Sequence, residues 1–446
     1  MNGRVVLKKR LIPPAALLAA ACLLLAAGCG GGGGGGGVTT TPTPSANPQF
    51  LLVSNPDADG KIYTTQTITV TGQTTPGSTV TVNGAAASVD SAGNFSYAGL
   101  AVTANPFTVT VKASGTSTSI SVPRTVYYHN QSVCTLVYAA EDPRTGVSKI
   151  FETDPAVDPD VSGSARVITN DDPLATDTRP AVSPDRSSVA FIRSVNGSQN
   201  IYTTSCTGTA AATRITNTSN VFYESVSWSK SGAWLAYSAN ASLANDYDVF
   251  VIPASAGQSY SQVTTHMAAD TGPSWTPDNR IVFASNRPLD GSPGSTISQT
   301  HLWAAADPFD PNGPKTLLYA PDSPSAPSCS AGAGKCSSSN PDVSAAGITA
   351  FQFAYPCSTQ GGGGDPPAPS GDTCYHIYYL PGGATFPSAL TSATGYYVHP
   401  RWKEGASSLV FIVRSSGVDN FYSSTFTGSV PGASAALDIE GYTPDW

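Results

Sequence analysis

One three-residue pattern returns six times: Leu136-Val137-Tyr138, Val189-Ala190-Phe191, Leu235-Ala236-Tyr237, Ile281-Val282-Phe283, Thr349-Ala350-Phe351 and Leu409-Val410-Phe411. A second aromatic follows each copy, at Phe151, Tyr202, Phe250, Trp303, Tyr378 and Tyr422. Eight or nine residues ahead of the aromatic in five copies stands an anchor: Val182, Trp228, Trp275, Val343 or Trp402. The first copy has none. Its counterpart lies at the far end of the chain, in Pro444-Asp445-Trp446. A tandem array whose last segment completes its first unit closes on itself, and few folds do so.

From anchor to anchor the intervals are 46, 47, 68, 59 and 44 residues. Such a unit holds four strands. Strand a carries the anchor, b the repeated triplet and c the second aromatic. Strand d reads Arg166-Val167-Ile168-Thr169, Arg214-Ile215-Thr216, Gln262-Val263-Thr264 and Ala389-Leu390-Thr391. Tight turns join a to b: Ser183-Pro184-Asp185, Ser229-Lys230-Ser231-Gly232 and Thr276-Pro277-Asp278-Asn279. Proline presets φ, and Asp or Gly tolerates the turn conformation. These segments are therefore architecture, not a catalytic Ser/Asp pair. Four-stranded units at this period predict an all-β chain, with a six-bladed β-propeller over residues 134–446. Pro273-Ser274-Trp275-Thr276-Pro277-Asp278, followed by the Phe283 strand, resembles the propeller repeat of TolB, the periplasmic partner of the Tol–Pal system. That resemblance, also WD-repeat-like, implies the fold and an envelope setting. TolB itself has a different N-terminal domain and no lipid anchor.

The first residues belong to no fold. Arg4, Lys8, Lys9 and Arg10 precede an apolar run from Leu11 to Ala27 and then Gly28-Cys29. This reads as a secretory signal over 1–28. The run is short for a membrane span and carries Pro13 and Pro14. Leu25-Ala26-Ala27-Gly28-Cys29 resembles a bacterial lipobox, which implies lipidation at Cys29. Gly30 after that cysteine implies the outer membrane, facing the periplasm or the cell surface. The chain carries 22 Lys+Arg against 30 Asp+Glu, a net −8. Loss of the leader removes four bases and no acid, and takes the charge to −12. No basic stripe remains, which excludes nucleic acid as a partner.

Residues 29–49 form a tether: eight glycines from Gly30 to Gly37, then a Thr/Pro stretch. Residues 50–128 alternate like short strands, with an Asn83-Gly84 hairpin turn. Val70-Thr71-Gly72 through Pro76-Gly77-Ser78-Thr79-Val80, with Gly93-Asn94-Phe95, resembles bacterial Ig-like domains and implies a small β-sandwich spacer. Asp57-Ala58-Asp59-Gly60 lacks the remaining ligands of a calcium loop and reads as an ordinary turn.

Antiparallel order puts the a–b and c–d turns on one side and the b–c and d–a connections on the other. The b–c spacing between aromatics is 11 to 13 residues in four repeats, but 20 in the fourth and 27 in the fifth. The fourth d–a connection, Ala320 to Asn340, is long too. Long connections on one side of a rigid scaffold are where binding concentrates. The exported chain keeps six cysteines beyond Cys22 and Cys29, an even number that reads as disulfides. Cys357 and Cys374 bracket the fifth b–c loop. Cys329 and Cys336 lie in the long d–a connection. Cys134 and Cys206 sit in adjacent repeats on the opposite side, within reach of each other. Connectivity stays open.

His266, His301, His376 and His399 map to the long-loop side, with Tyr396 and Tyr397. Equivalent strand-c positions in neighbouring blades are too far apart to share one metal, so no metal or other cofactor is expected. Gly-x-Ser-x-Gly and His-Glu-x-x-His are both absent. Asp154, Asp158 and Asp160 read as a solvated turn. The expectation is a non-enzymatic, lipid-anchored envelope protein that binds a protein or peptide. The alternative is a glycan-binding protein or a propeller lyase or hydrolase, with Tyr396 and Tyr397 stacking on sugar.

Overall fold

A computed structural model describes residues 46–445 apart from 156–164, 170, 241–245, 291, 293–294, 321–335, 357–372, 392–395, 404–406, 416–417 and 441. The expected leader, Cys29 and the glycine run lie outside the described residues, as do Asp158, Asp160, Cys329, Cys357 and Trp446. The described residues form strands and turns, and no helix among them is long and apolar enough to cross a membrane.

Residues 51–128 make two sheets. One has the order Leu51–Asn55, Thr67–Thr74, Asn94–Ala101, Ser88–Val89. The other has Lys61–Tyr63, Ser119–Tyr128, Phe107–Ser114, Thr79–Val82, Ala85–Ala86. Strand periodicity decides what faces inward: Ile68 and Val70 are buried while Thr67 and Thr69 are exposed, as alternation demands. Val82, Phe95, Val109 and Val111 join them in one core. Asn83 and Gly84 both take positive φ, 47° and 86°, the geometry of a two-residue hairpin turn. Asp59 accepts the Thr125 N–H at 2.8 Å and Asp57 meets Lys61 at 2.6 Å, so this segment is a turn held by its own neighbours. A buried contact joins the unit to the repeats. His129 Nε2 lies 3.2 Å from Glu152 Oε1, and Arg166 donates to Glu152 Oε2 at 3.0 Å.

Six four-stranded antiparallel sheets follow. Their a strands are Tyr442–Asp445, Thr176–Val182, Phe222–Trp228, Asp270–Trp275, Ser337–Val343 and Tyr396–Trp402. The b strands are Leu136–Glu141, Ser188–Val195, Trp234–Asn240, Ile281–Ser285, Thr349–Pro356 and Ser408–Ser415. The c strands are Ser148–Thr153, Ser198–Ser205, Asp248–Pro253, His301–Ala305, Thr373–Leu380 and Val418–Thr427. Each described anchor is the last residue of its strand a. The two aromatics of every repeat are direct cross-strand partners: Tyr138 faces Phe151, Phe191 faces Tyr202, Tyr237 faces Phe250, Phe283 faces Trp303, Phe351 faces Tyr378 and Phe411 faces Tyr422. Such a pair adds about 0.5–1.5 kcal/mol beyond the area it buries.

The threonine after strand d has a defined task. The Oγ atoms of Thr169, Thr216, Thr264 and Thr391 accept the N–H groups of Ile150, Ile201, Val249 and Ile377 at 3.0, 2.9, 2.9 and 3.0 Å. Each binds strand c where the two-residue d ladder has ended. The fourth sheet, whose strand d is Lys315–Tyr319, has no such threonine, and a long d–a connection starts there.

Packing passes from sheet to sheet. Val137 and Ile150 of the first meet Val182 and Phe191 of the second, and similar clusters follow between each later pair. Leu136 and Tyr138 then meet Val410, Ile412 and Phe421, so the sixth sheet packs on the first. The first sheet draws its strands from both ends of the domain, with Val137 opposite Asp445 and Ala139 opposite Tyr442. A disulfide joins Cys134 to Cys206, bridging 72 residues and fastening the first sheet to the second. Cys336 and Cys374 are also disulfide-bonded.

Candidate functional site

The a strands converge on one axis. Val182, Trp228, Ser274, Asp342 and Trp402, from five different sheets, line the same narrow space. Each of these strands is broken by a bulge. Arg179-Pro180, Gly272-Pro273, Asn340-Pro341 and His399-Pro400 drop out of the ladder, and their first residues take φ of 53°, 60°, 49° and 54°. Proline suits the place because it has no N–H to leave unpaired. The third sheet bulges one residue earlier, at Glu224, without proline.

Neighbouring a strands are bonded to one another around the axis. Trp228 Nε1 donates to the Ala181 carbonyl at 2.8 Å and Ser227 Oγ to the Pro273 carbonyl at 2.7 Å. Ser274 Oγ donates to Asp342 Oδ1 at 2.9 Å, and the Trp402 N–H to Asp342 Oδ2 at 2.6 Å. These bonds tie the second sheet to the third and so on to the sixth. About 40 Å³ stays open to the centres of water molecules, room for a few ordered waters and far less than a sugar or cofactor pocket provides.

The side chains expected on the long-loop side are placed differently. His301 and His376 hold equivalent strand-c positions, and both are buried. His376 Nε2 lies 2.7 Å from Tyr355 Oη and Nδ1 lies 2.9 Å from the Thr391 carbonyl oxygen. Its ring stacks on Tyr355 and on Tyr397, which is itself buried. The reason is local: this strand-c position turns toward the next sheet, as Lys149 and Asn200 also do. His399 sits in the bulge at the axis. Burial, then the guanidinium groups of Arg179, Arg401 and Arg414, push its pKa down to about 3, so the ring is neutral. Tyr396 is half-buried, 6.1 Å from Tyr375. His266 accepts the Ala268 N–H on Nδ1 and its Nε2 lies 3.2 Å from the Ser292 carbonyl oxygen. Among the described residues, no three His, Cys, Asp or Glu side chains gather as metal ligands.

The sequence reading missed three features. The first is a buried ion pair at the start of strand a. Arg193 grips Asp177 at 2.7 and 3.0 Å and Asp171 at 2.8 and 2.9 Å, and Arg287 meets Asp270 at 2.6 Å. The Arg193 hydrogen bonds hold Asp171 down at about 2, while burial outweighs the same arginine at Asp177 and raises it. Asp two residues before the bulge, with Arg two or four after the strand-b aromatic, was the available signal. The second is the bulge itself, announced by proline two residues before an anchor.

The third is an apolar rim. Leu174, Phe222, Met267 and Leu289 are 85%, 55%, 62% and 47% exposed. Leu174 and Met267 lie in d–a connections, Phe222 begins a strand a, and Leu289 lies in the fourth b–c connection. All four therefore fall on the long-connection side, and the first three stand where the chain enters the axis. The c–d side carries exposed apolar side chains too: Phe386 and Val430 are 48% and 65% exposed, while Tyr260 packs edge-on against Phe250 and Phe309 against Trp234.

No protein-family model matches the sequence, and no curated protein matches it. Solved structures do. TolB from Acinetobacter baumannii is similar at a TM-score of 0.50 and 14% identity, over 77% of this chain and 80% of that one. The β-propeller domain of the Trilobed protease from Pyrococcus furiosus is similar at a TM-score of 0.40 and 7% identity, over 87% and 98%. Oligogalacturonate lyase from Vibrio parahaemolyticus is similar at 0.38 and 11%, over 68% and 73%. The first of these defines the class by its fold: the repeat sheets form a TolB-like β-propeller. At such identities the likeness speaks of fold alone.

Proposed function

We propose that this protein is a lipid-anchored binding protein of the bacterial outer membrane, without catalytic activity. On this reading the six sheets are six blades closed by the C-terminal strand. The two-sheet unit is an Ig-like spacer, and Cys29 carries the lipid. The rim on the long-connection side captures a protein or peptide. The observation that carries the reading is the strand order, which puts the longest connections, the fourth and fifth b–c and the fourth d–a, on one side of the sheets, together with the exposed Leu174, Phe222, Met267 and Leu289: binding concentrates on long connections of a rigid scaffold.

The test is photo-crosslinking from position 267 in the native cell, with position 386 on the opposite side as control. One reproducible envelope protein joined from 267 and not from 386 is the expected result. Equal yields from both, or none from either with the protein abundant, overturn the reading. Cys29→Ala is expected to move the protein from the membrane to the soluble fraction. A glycan-binding reading has one observation in its favour, the half-buried pair Tyr375 and Tyr396 beside the fifth b–c loop. Saturable binding on a glycan array, lost in Tyr396→Ala, would select it.

A further inference from the structure

The strand-c position two residues before the second aromatic turns toward the next sheet, and its occupant changes from junction to junction. Between the first and second sheets it is Lys149, 1% exposed. Its ammonium donates to the carbonyl oxygens of Asp172 and, at 2.6 Å, of Ala175, and lies 3.7 Å from Asp177 Oδ2. Thr169 hydrogen-bonds the same aspartate. Between the third and fourth sheets the surroundings repeat. Asp270 takes the place of Asp177 and Thr264 that of Thr169, and Ala268 stands two residues ahead of Asp270 as Ala175 does of Asp177. All six are buried. The cation does not repeat: the strand-c residue is Asp248, so a carboxylate replaces an ammonium beside another carboxylate. The two are joined through Thr264, which stands beside Asp270 and gives its one hydroxyl proton to Asp248 Oδ1 at 3.0 Å. Gln262 donates to Asp248 Oδ2 at 2.9 Å. Arg287 meets Asp270 Oδ2 at 2.6 Å, and Ser285, also beside Asp270, accepts from Arg287. Asp270 Oδ1, on a fully buried residue, has no hydrogen-bond partner, and neither has Asp246 Oδ1. Burial first, then Asp270 and Asp246, bring Asp248 up to about 7. Lys315, a second cation whose field reaches Asp270, is held by the carbonyl oxygens of Asp310, Pro311 and Gly313.

We propose that a calcium ion binds between the third and fourth sheets, where the Lys149 ammonium lies between the first and second, with Asp248 and Asp270 as its carboxylate ligands and the Thr264 hydroxyl beside them. Aspartate is two bonds shorter than lysine, a shortfall of about 2.5 Å that matches one calcium–oxygen bond. The donors on hand are all oxygens, which suits a hard cation rather than a transition metal. Calcium completes its shell with backbone carbonyls and water, so the site does not need a third carboxylate; Asp246 adds charge from nearby. The ion takes away the repulsion between Asp248 and Asp270 and gives the bare Asp270 Oδ1 a partner. It leaves Arg287, at the root of the fourth b–c connection, in its ion pair. The inference stands apart from the docking reading: either can fail without the other.

The experiment uses the full-length protein in detergent, stripped with a chelator and dialysed at neutral pH. The probe is calcium chloride alone, read by titration calorimetry and by the melting temperature. Wild type is expected to bind with a Kd of about 10⁻⁴–10⁻³ M, the range of calcium sites poor in charged ligands. Its melting temperature is expected to rise by a few degrees at about ten times that concentration. Asp248→Asn keeps the shape of the side chain and is expected to bind calcium at least about tenfold more weakly, losing most of the rise. Removing this charge changes the calcium-free melting temperature by itself, so the response to calcium is the readout. Asp248→Lys rebuilds the first junction. It is expected to melt above Asp248→Asn in calcium-free buffer, because its ammonium fills the place, and to ignore added calcium. Asp248 is only partly buried, so both variants are expected to fold, checked by a cooperative melt. Asp248→Asn carries the test on its own if the lysine variant does not fold. A wild type whose melting temperature ignores calcium overturns the proposal. So does a calcium response that Asp248→Asn or a folded Asp248→Lys keeps in full, which places the ion elsewhere.

Discussion

Arg193 offers the sharpest quantitative test of how the sheets are held together. Its guanidinium is 4% exposed, makes paired hydrogen bonds to both Asp177 and Asp171, and lies 5.1 Å from the rings of Phe191 and Tyr202. Asp177 is fully buried, and its remaining cation is Lys149 at 3.7 Å. Arg193→Met keeps the volume and removes the charge. It leaves a buried carboxylate with one distant partner, and the expected cost is about 3–5 kcal/mol at pH 7. Asp171 contributes little of this, being on the surface side of the pair. Arg193→Met with Asp177→Asn removes both buried charges and is expected to return to within about 1–2 kcal/mol of the parent. The pH dependence has a definite sign. Burial already raises Asp177, and loss of Arg193 raises it further. The penalty in the single variant therefore shrinks as pH falls from 8 to 5, because the carboxyl takes up a proton instead of staying charged. Urea unfolding followed by tryptophan fluorescence reads all three proteins. A single-variant cost below about 1 kcal/mol, or a double variant as unstable as the sum of its parts, refutes the reasoning.

Replacing Cys134 and Cys206 together by serine is expected to lower stability by about 4 kcal/mol, the chain-entropy value for a loop of this length. Urea titration of the double variant beside the oxidised wild type, both without reductant, reads the gap. Asp248 should make the protein less stable in mild alkali. Its folded pKa is raised, so its share of stability is whole below the unfolded value near about 4 and is lost as pH climbs through about 7. Asp248→Asn should therefore raise the melting temperature at pH 8, by on the order of 1 kcal/mol after screening at this partly exposed site, and leave it unchanged at pH 4. Thr216→Val removes the acceptor for the Ile201 N–H and a bond to Asn200, and should cost about 1–3 kcal/mol. Hydrogen exchange should show the Ile201 amide losing protection while Ile377, held by Thr391, keeps it.

Strand identity was legible because each strand carries its own signal at fixed spacing. Counting residues between aromatics was enough to put Tyr138 on strand b and Phe151 on strand c; the register that makes them direct partners came from the structure. The anchors ended their strands for the same reason: a tight turn with proline or glycine follows Val182, Trp228, Trp275 and Val343. Side-chain direction at strand edges was harder. His301, His376 and Tyr397 looked like rim residues because they neighbour connections, yet the strand-c position two before the second aromatic turns sideways into the adjoining sheet, and Tyr397 of strand a packs on the His376 ring. A single sequence shows which end of a strand a residue occupies, not which neighbour it meets. The bulges were missed for a related reason. Proline two residues before an anchor was visible, and Asn340 and His399 are of types enriched at left-handed φ, but Arg179 carries no such marker. The exposed apolar residues were hidden because they lie in different connections, and residue type alone does not show which apolar side chains stay exposed.

The first sheet takes three strands from the start of the repeat domain and one from its end, and this sets a timetable. Residues 136–141 leave the ribosome about three hundred residues before 442–445, a gap of roughly 15–60 s at ordinary rates of synthesis. Throughout that interval the strand Leu136–Glu141 presents a bare hydrogen-bonding edge to whatever is nearby. The chain must be kept from folding, or sheltered, until its final strand arrives. A stop codon or a protease that removes only those last residues therefore does more than shorten the protein. It restores the sticky edge permanently, and the expected phenotype is aggregation, out of proportion to the handful of residues lost.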